Sequence, residues 1–517
     1  MNPIQKPDLW EKLKANSPRG IEWLWLLIGA LLLPWSFWQT VSPFAAWLAP
    51  IFLLRFTRTS KSRWTIWLVR LTYFGAIWFA HRGLPFNLLG FIGDIILKSA
   101  AWVLPYTIDR ALSPRLGGLV RTLVFPAAFT TIDWLLSLTP LSTSGSLAYS
   151  QDGSLLLLQI LSVTGMWGIT FLIAWCASTI NALWEQHFRL HPVRVQAGLF
   201  ASLMAATLLF GAIRLFLPGA SRTYMKSAMV TADAALISNA TSTIDWKNVG
   251  HLSEIERAAL RPKLTLTVDA MLARTKATLQ GHARLVAWQE SSGWVLEEDE
   301  PALEERAASL AKQYGAYIQI SLEVFSHATS LPVLYNQSIL IGPTGQVLWT
   351  YNKSHLVPYD EAFVTIPGNG QLPVVDAAYG RWSTATCYDT YFPALIRQAG
   401  KAGADLFIAP TNDVPQFAQS ALSMADYRAI ENGFTLLRPT GSGLSAIIDD
   451  HGRLVLSQDY SRLPSGILFA DLPLHATPTL YSRIGDWLAY LSTAGLAAVT
   501  ALAVLRHKPI ATAAVAR

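Results

Sequence analysis

Apolar runs with few charges recur near 22–38, 41–54, 64–80, 86–104, 118–137, 155–181, 196–217 and 484–505. Each approaches the roughly 20 residues that a helix needs to cross a hydrocarbon core, so the pattern predicts about eight membrane helices, the second the shortest. A secretory leader would place one short apolar core before a small-residue cleavage site; here the pattern continues through further spans, and the first is expected to be retained. Between Ser221 and Tyr481 the pattern changes to short β-type runs alternating with amphipathic stretches, which predicts an α/β domain. Strands are expected over Ala283–Trp288, Ala316–Val324, Ser338–Trp349, Trp382–Tyr388, Asp405–Pro410, Thr435–Pro439 and Gly443–Ile448, with helices near 251–279, 301–314, 390–402 and 418–432. Gly342-Pro343-Thr344-Gly345 and Asp450-His451-Gly452 read as hairpin punctuation. The expected division is a membrane domain over 1–217, an α/β domain over 218–481, and a last transmembrane helix with its tail over 482–517.

Composition agrees with a membrane: 52% of the residues are hydrophobic and 14% are charged. Lys and Arg sit in every second loop: Lys6, Lys12, Lys14 and Arg19 before the first span, Arg55, Arg58, Lys61 and Arg63 after the second, Arg110 and Arg115 after the fourth, Arg189 and Arg194 after the sixth, and Arg506 and Lys508 after the last. That alternation puts both termini in the cytoplasm and 218–481 outside. Over 219–481 there are 19 Lys and Arg against 25 Asp and Glu, a net of −6, which leaves +12 of the overall +6 on the rest of the chain. The positive charge therefore belongs to anchoring loops, and a nucleic-acid partner loses its support.

The two cysteines, Cys176 in the sixth apolar run and Cys387 in the exported segment, are not placed to pair. A lone exported thiol is either inert and buried or reactive. Cys387 closes the run Trp-Ser-Thr-Ala-Thr-Cys, Glu290 ends Leu-Val-Ala-Trp-Gln-Glu, and Lys353 follows Leu-Trp-Thr-Tyr-Asn. Strand ends are where α/β sheets gather ligands, so these three can converge. A thiol needs a base such as Glu290, and a lysine can stabilise the oxyanion of acyl transfer. Taken singly, each residue has an ordinary reading as a loop acid, a surface lysine or a core thiol.

In order and surroundings the three resemble the nitrilase, or carbon-nitrogen hydrolase, superfamily, as does the run Tyr427-Arg428-Ala429-Ile430-Glu431-Asn432-Gly433. Leu147-Ala148-Tyr149-Ser150-Gln151, Thr164-Gly165-Met166-Trp167-Gly168-Ile169-Thr170-Phe171-Leu172 and Asn352-Lys353-Ser354-His355-Leu356-Val357-Pro358-Tyr359-Asp360-Glu361 are similar to its membrane branch, the apolipoprotein N-acyltransferase family. The resemblance implies a nitrilase-like α-β-β-α sandwich inserted in an all-α multi-pass domain of about eight helices. It implies catalytic Glu290, Lys353 and Cys387, with Glu361, eight positions after the lysine, and Asp389 as accessory residues. The family commonly has Pro for Gln289, Glu for Asp389, Ala-Trp-Phe-Gly for the stretch from Val414 to Phe417, and Asn-Asn for Gly441-Ser442, and its lysine-to-cysteine interval is longer.

The expected reaction carries a fatty acyl group from membrane phospholipid, through a cysteine thioester, to the amino terminus of a diacylglyceryl-modified apolipoprotein. Nucleotide and coenzyme-A donors belong to the opposite face of the membrane, whereas ester lipids are at hand. The bilayer is the third expected partner, and a monomer in the bacterial inner membrane is the expected state. A membrane-tethered amidase, an N-acyltransferase for another amine, and a silent lipoprotein-binding scaffold are the alternatives. No cofactor is expected, and no metal, since His-Glu-x-x-His and Cys-x-x-Cys spacings do not occur. Asp94 and Lys98, four apart in the fourth span, read as an ion pair near the cytoplasmic side or as a polar relay.

Overall fold

The computed structural model describes residues 20–37, 41–82, 88–216, 223–244, 252–358, 361–463 and 465–505. Lys6, Lys12, Lys14, Arg19, Ser221, Tyr359, Asp360, Arg506 and Lys508 lie outside the described residues.

The apolar runs form α1 (Ile21–Leu32), α2 (Pro43–Thr59), α3 (Thr65–Ala80), α4 (Leu88–Leu112), α5 (Gly118–Ser137), α6 (Trp167–Glu185), α7 (Arg194–Phe216) and a last helix over Trp487–Leu505. Segments Gly90–Arg115, Gly118–Ser137, Trp167–Glu185 and His191–Phe216 are long and apolar enough to cross a membrane. The sixth run departs from expectation. Its first part, Leu155–Leu158 and Leu161–Thr164, makes two single turns, and Gly165 at φ 62 breaks the chain before α6 starts. A Cβ at Gly165 would meet the Tyr481 ring at 2.4 Å, and one at Gly211 of α7 would meet the Leu156 carbonyl at 1.9 Å. Leu157, Leu158 and Leu161 are thus buried by protein. Their apolarity records packing against neighbouring helices and the second domain, and a transfer-based reading of the sequence does not separate that from contact with lipid.

At one end of the bundle Arg58 pairs with Asp109 at 2.8 Å and with Glu185 at 3.5 Å, while Arg121 reaches Glu185 at 2.9 Å. The second domain sits at the opposite end. Its strands are β1 (Thr223–Thr231), β2 (Leu285–Trp288), β3 (Gly293–Leu296), β4 (Tyr317–Phe325), β5 (Leu334–Ile341), β6 (Val347–Asn352), β7 (Val374–Ala377), β8 (Gly380–Thr384), β9 (Leu406–Ile408), β10 (Thr435–Arg438), β11 (Leu444–Ile448), β12 (Leu454–Asp459) and β13 (Gly466–Leu474). They make a seven-stranded sheet in the order β13-β1-β2-β4-β5-β6, with β3 beside β4, and a six-stranded sheet in the order β12-β11-β10-β9-β8-β7.

Side chains alternate along each strand, so the two faces separate cleanly. Met225, Met229, Leu285 and Ala287 join Trp382, Leu406, Ile408 and Leu436 in the core between the sheets. Ala228, Val230, Val286, Trp288, Ile318 and Ile320 face the other way, against helices over Glu254–Gln280 and Glu300–Tyr314. Helices over Pro393–Ala402 and Ala418–Asn432 cover the second sheet. The layering is α-β-β-α, as expected. Strands β1, β3, β7, β12 and β13 were not legible in the pattern. The burial of β7 and β12 is only partial, and the expected strand Ser338–Trp349 is a β5–β6 hairpin that turns at Gly345, φ 86.

Candidate active site

Glu290 and Lys353 leave the first sheet just beyond β2 and β6, and Cys387 leaves the second just beyond β8. Lys353 is 1% exposed and Glu290 3%. The Lys353 Nζ donates to Glu290 Oε1 at 2.9 Å and lies 2.6 Å from Glu361 Oε1. Glu290 is held from three directions. Its Oε1 also accepts from Asn336 Nδ2 at 2.9 Å, and its Oε2 accepts from the Asn412 backbone N–H at 2.9 Å. The Lys353 backbone is pinned as well, its N–H donating to the Asn336 carbonyl at 2.9 Å and its carbonyl accepting from Gly368 at 2.8 Å. Glu361 opens a short turn, Glu361–Phe363, and accepts from the Val357 N–H at 2.7 Å.

Where a strand over Trp382–Tyr388 was expected, pairing stops at Thr384 and the chain bends at Cys387, φ 48. That left-handed conformation is uncommon for a non-glycine residue and marks a functional or strained position. The Cys387 N–H donates to the Pro410 carbonyl at 2.9 Å, and the Thr390 hydroxyl donates to the Cys387 carbonyl at 2.7 Å. The 410–412 stretch therefore touches both Cys387 and Glu290, tying the second sheet to the first.

Burial and then the charge of Glu290 push the Cys387 thiol well above its ordinary range, with Lys353 opposing. Burial alone would lower the Lys353 ammonium, but Glu290 and Glu361 outweigh it and hold the group above the usual lysine range. Burial and the Glu290 charge raise Glu361, against Lys353. The resting arrangement is thus a protonated thiol beside a cation and its carboxylates, which calls for a base at the moment of attack.

Asp389 stands apart from this cluster. Fully buried, it accepts from the Tyr351 hydroxyl at 2.7 Å, the His355 N–H at 2.7 Å and the Thr386 N–H at 3.2 Å. It clamps the segment after Lys353 to the turn before Cys387. Gln289, where the family commonly has proline, accepts from the Ala232 N–H at 3.1 Å and ties β2 to the end of β1. Sequence reading missed Asn336, Asn412, the buried Glu323 and the pair Arg438–Asp413 at 2.8 Å. A buried-strand asparagine or glutamate was the available signal, but it carries no spacing of its own.

Cys387 opens into a cavity of about 190 Å³ between the two domains. The sandwich supplies Tyr388, Asn412 and Phe417, and the bundle supplies His81, Asp94 and Lys98. The Asp94–Lys98 pair is present, Oδ1 to Nζ 3.0 Å, on the side of the catalytic domain and toward the other end of α4 from Arg110. Asp449, Asp450 and His451 also gather with ligand atoms within 4.8 Å of one another. Asp449 there accepts from the N–H groups of His451 and Arg453, both at 2.9 Å, and Asp450 accepts from the Thr477 hydroxyl, as a hairpin would.

Alongside contacts such as the Thr143 hydroxyl donating to the Tyr391 carbonyl at 2.7 Å and Gln159 Nε2 donating to the His451 carbonyl at 2.9 Å, the helix Ala418–Asn432 ties the catalytic domain to the bundle. Its Tyr427 hydroxyl donates to the Ala148 carbonyl at 2.7 Å, Arg428 Nη2 donates to the Tyr149 hydroxyl at 3.2 Å, and Glu431 accepts from the Met166 N–H at 2.8 Å.

Fold and site define a membrane-anchored protein of the carbon-nitrogen hydrolase class, and the carbon-nitrogen hydrolase family model matches residues 235–480. A second model, the apolipoprotein N-acyltransferase N-terminal domain, matches residues 23–179. Together the two matches make the chain similar to the apolipoprotein N-acyltransferases of the nitrilase superfamily. Apolipoprotein N-acyltransferase of Geobacter metallireducens is 28% identical over 70% of each chain. That of Bradyrhizobium diazoefficiens is 27% identical over 82% of this chain and 79% of its own. Among solved structures, an amidase from Nesterenkonia sp. is 20% identical, with a TM-score of 0.40 over 53% of this chain and 97% of the amidase.

Proposed function

We propose that this chain is an apolipoprotein N-acyltransferase that carries a fatty acyl group from membrane phospholipid, through a thioester on Cys387, to the terminal amine of diacylglyceryl-cysteine. It works as a monomer in the bacterial inner membrane, with 218–481 on the extracytoplasmic face, both termini in the cytoplasm, and membrane segments within 1–217 and 482–517. The observation that carries the reading is the position of Cys387: backed by Glu290 and Lys353, it opens into a cavity whose far wall is membrane helices. A donor ester can reach the thiol there while its tails remain apolar.

Glu290 takes the Sγ proton as sulfur attacks the ester carbonyl, and Lys353 holds the oxyanion. The carbon–oxygen bond then breaks, the lysophospholipid oxygen leaves with the proton from Glu290, and the acyl group remains on sulfur. In the second half the acceptor amine attacks the thioester, Glu290 receives the amine proton, and the proton passes to the departing thiolate. Amide replaces thioester, which is downhill. Glu361, against Lys353, keeps the ammonium charged and aimed.

Full-length protein given phospholipid without acceptor should accumulate one acyl addition by intact mass, removed by neutral hydroxylamine and absent in Cys387→Ala. A diacylglyceryl-cysteinyl peptide should discharge it as amide. Discharge only to free fatty acid would select the tethered hydrolase, and acylation of the peptide without any adduct would sink the Cys387 route.

A further inference from the structure

The chamber has a charged wall that this chemistry leaves unused. Lys98 and Asp94 lie one turn apart on α4, their side chains 5% and 18% exposed, in a segment whose mean hydropathy is 1.3. A buried ion pair at membrane depth is costly, and well-packed apolar residues of similar volume often serve stability as well or better. This pair does not sit in anonymous packing: it lines the cavity that Cys387 lines, with His81 and Phe91 beside it.

The donor proposed above explains what such a wall could hold. In a glycerophospholipid the ester under attack and the phosphate are joined by the glycerol alone. An acyl carbonyl against Cys387 brings the phosphate into the same small chamber, on the side away from the sandwich. An anion cannot rest against Phe91, Leu141 and Met424 without a partner. Lys353 is engaged by Glu290 and Glu361 at 2.9 and 2.6 Å. Among the described residues lining the cavity, Lys98 is the only Lys or Arg. An ammonium can hold Asp94 and a phosphate oxygen together.

We propose that Lys98 binds the phosphate of the acyl donor and so selects phospholipid over uncharged glyceride. This rests on the acyl-transfer reading, and its test keeps the two apart. In a Cys387→Ala background, the full-length protein is mixed with a non-cleavable diether phospholipid and, separately, with the matching diether glycerol, and retention is read by native mass spectrometry. The parent should retain the phospholipid preferentially. Lys98→Met should weaken that retention about tenfold or more, leaving the diether glycerol unchanged, and Lys98→Arg should restore it. Asp94→Asn should retain phospholipid at least as well, since a competing carboxylate is gone. Equal loss of both lipids in Lys98→Met, no loss of either, or a loss in Asp94→Asn matching that in Lys98→Met would overturn the assignment. If the parent retains the phospholipid in this way while the chain with Cys387 intact forms no thioester from the ester lipid, acyl transfer fails and the phosphate site stands.

Discussion

Near Lys353, burial raises the carboxyl of Glu323. Its Oε1 accepts from the Ser291 hydroxyl at 2.6 Å, and burial, with Glu361 and Glu290 adding, pushes it up to about 8 from the ordinary 4.5. The folded chain therefore keeps a proton that the unfolded chain releases. This contribution to stability is fully present below 4.5 and is lost as pH rises through about 8. Glu323→Gln, neutral at every pH, should flatten the fall in unfolding temperature across that window. An unchanged slope in thermal melts would mean that the group is charged when folded. Glu361→Ala removes a carboxylate at 2.6 Å from the Lys353 ammonium, and turnover should drop about a hundredfold or more in an acyl-transfer assay. Asp389→Asn sets an amide N–H against groups that now donate to the carboxylate, so it should lower both the unfolding temperature and the rate of Cys387 acylation.

At the scale of elements, the helix over Ala418–Asn432 is the joint of the molecule. Leu422, Ala425 and Ala429 enter the core between sheet and helix, while Met424, Tyr427 and Ile430 enter the core of the bundle. In a helix buried nearly all round, Arg428 and Glu431, both fully buried, form an ion pair at 3.1 Å and reach Tyr149 and Met166 of the bundle. Even so, burial lifts Glu431 to about 7 against the pull of Arg428. Arg428→Met would strand that carboxylate. The expected cost is about 3–5 kcal/mol, read as a lower unfolding temperature, and Arg428→Met/Glu431→Leu should recover part of it.

For the whole molecule, the pairs joining Arg58, Asp109, Arg121 and Glu185 gather at the end of the bundle away from the sandwich. The basic loops lead to the expectation that this end faces the cytoplasm. In a chain lacking Cys176 and Cys387, single cysteines at Lys61 or Leu190 should be shielded from an impermeant thiol reagent in intact cells. Cysteines at the exposed positions Ser238 or Glu305 should react. The opposite labelling would reverse the sidedness and remove the case for a lipid donor.

Composition and periodicity by themselves determined the apolar helices, the α/β segment between the seventh and the last, and the order of Glu290, Lys353 and Cys387, because hydropathy and strand-end polarity are local properties of the chain. The family resemblance singled out Glu361, and the fold sets it 2.6 Å from Lys353. Tertiary structure alone decided the rest. Leu157 and Leu161 are as apolar as residues that face lipid, yet they are covered by protein. Asp389 is one of several acids near the site, and only the fold turns it onto Tyr351 and His355. Strands β1 and β13 run antiparallel over Thr223–Thr231 and Gly466–Leu474, a pairing between segments more than two hundred residues apart that no local pattern encodes. Asp94 and Lys98 show the division most plainly: their spacing fixed the pair, and only the tertiary structure put that pair on the wall of the cavity that Cys387 lines.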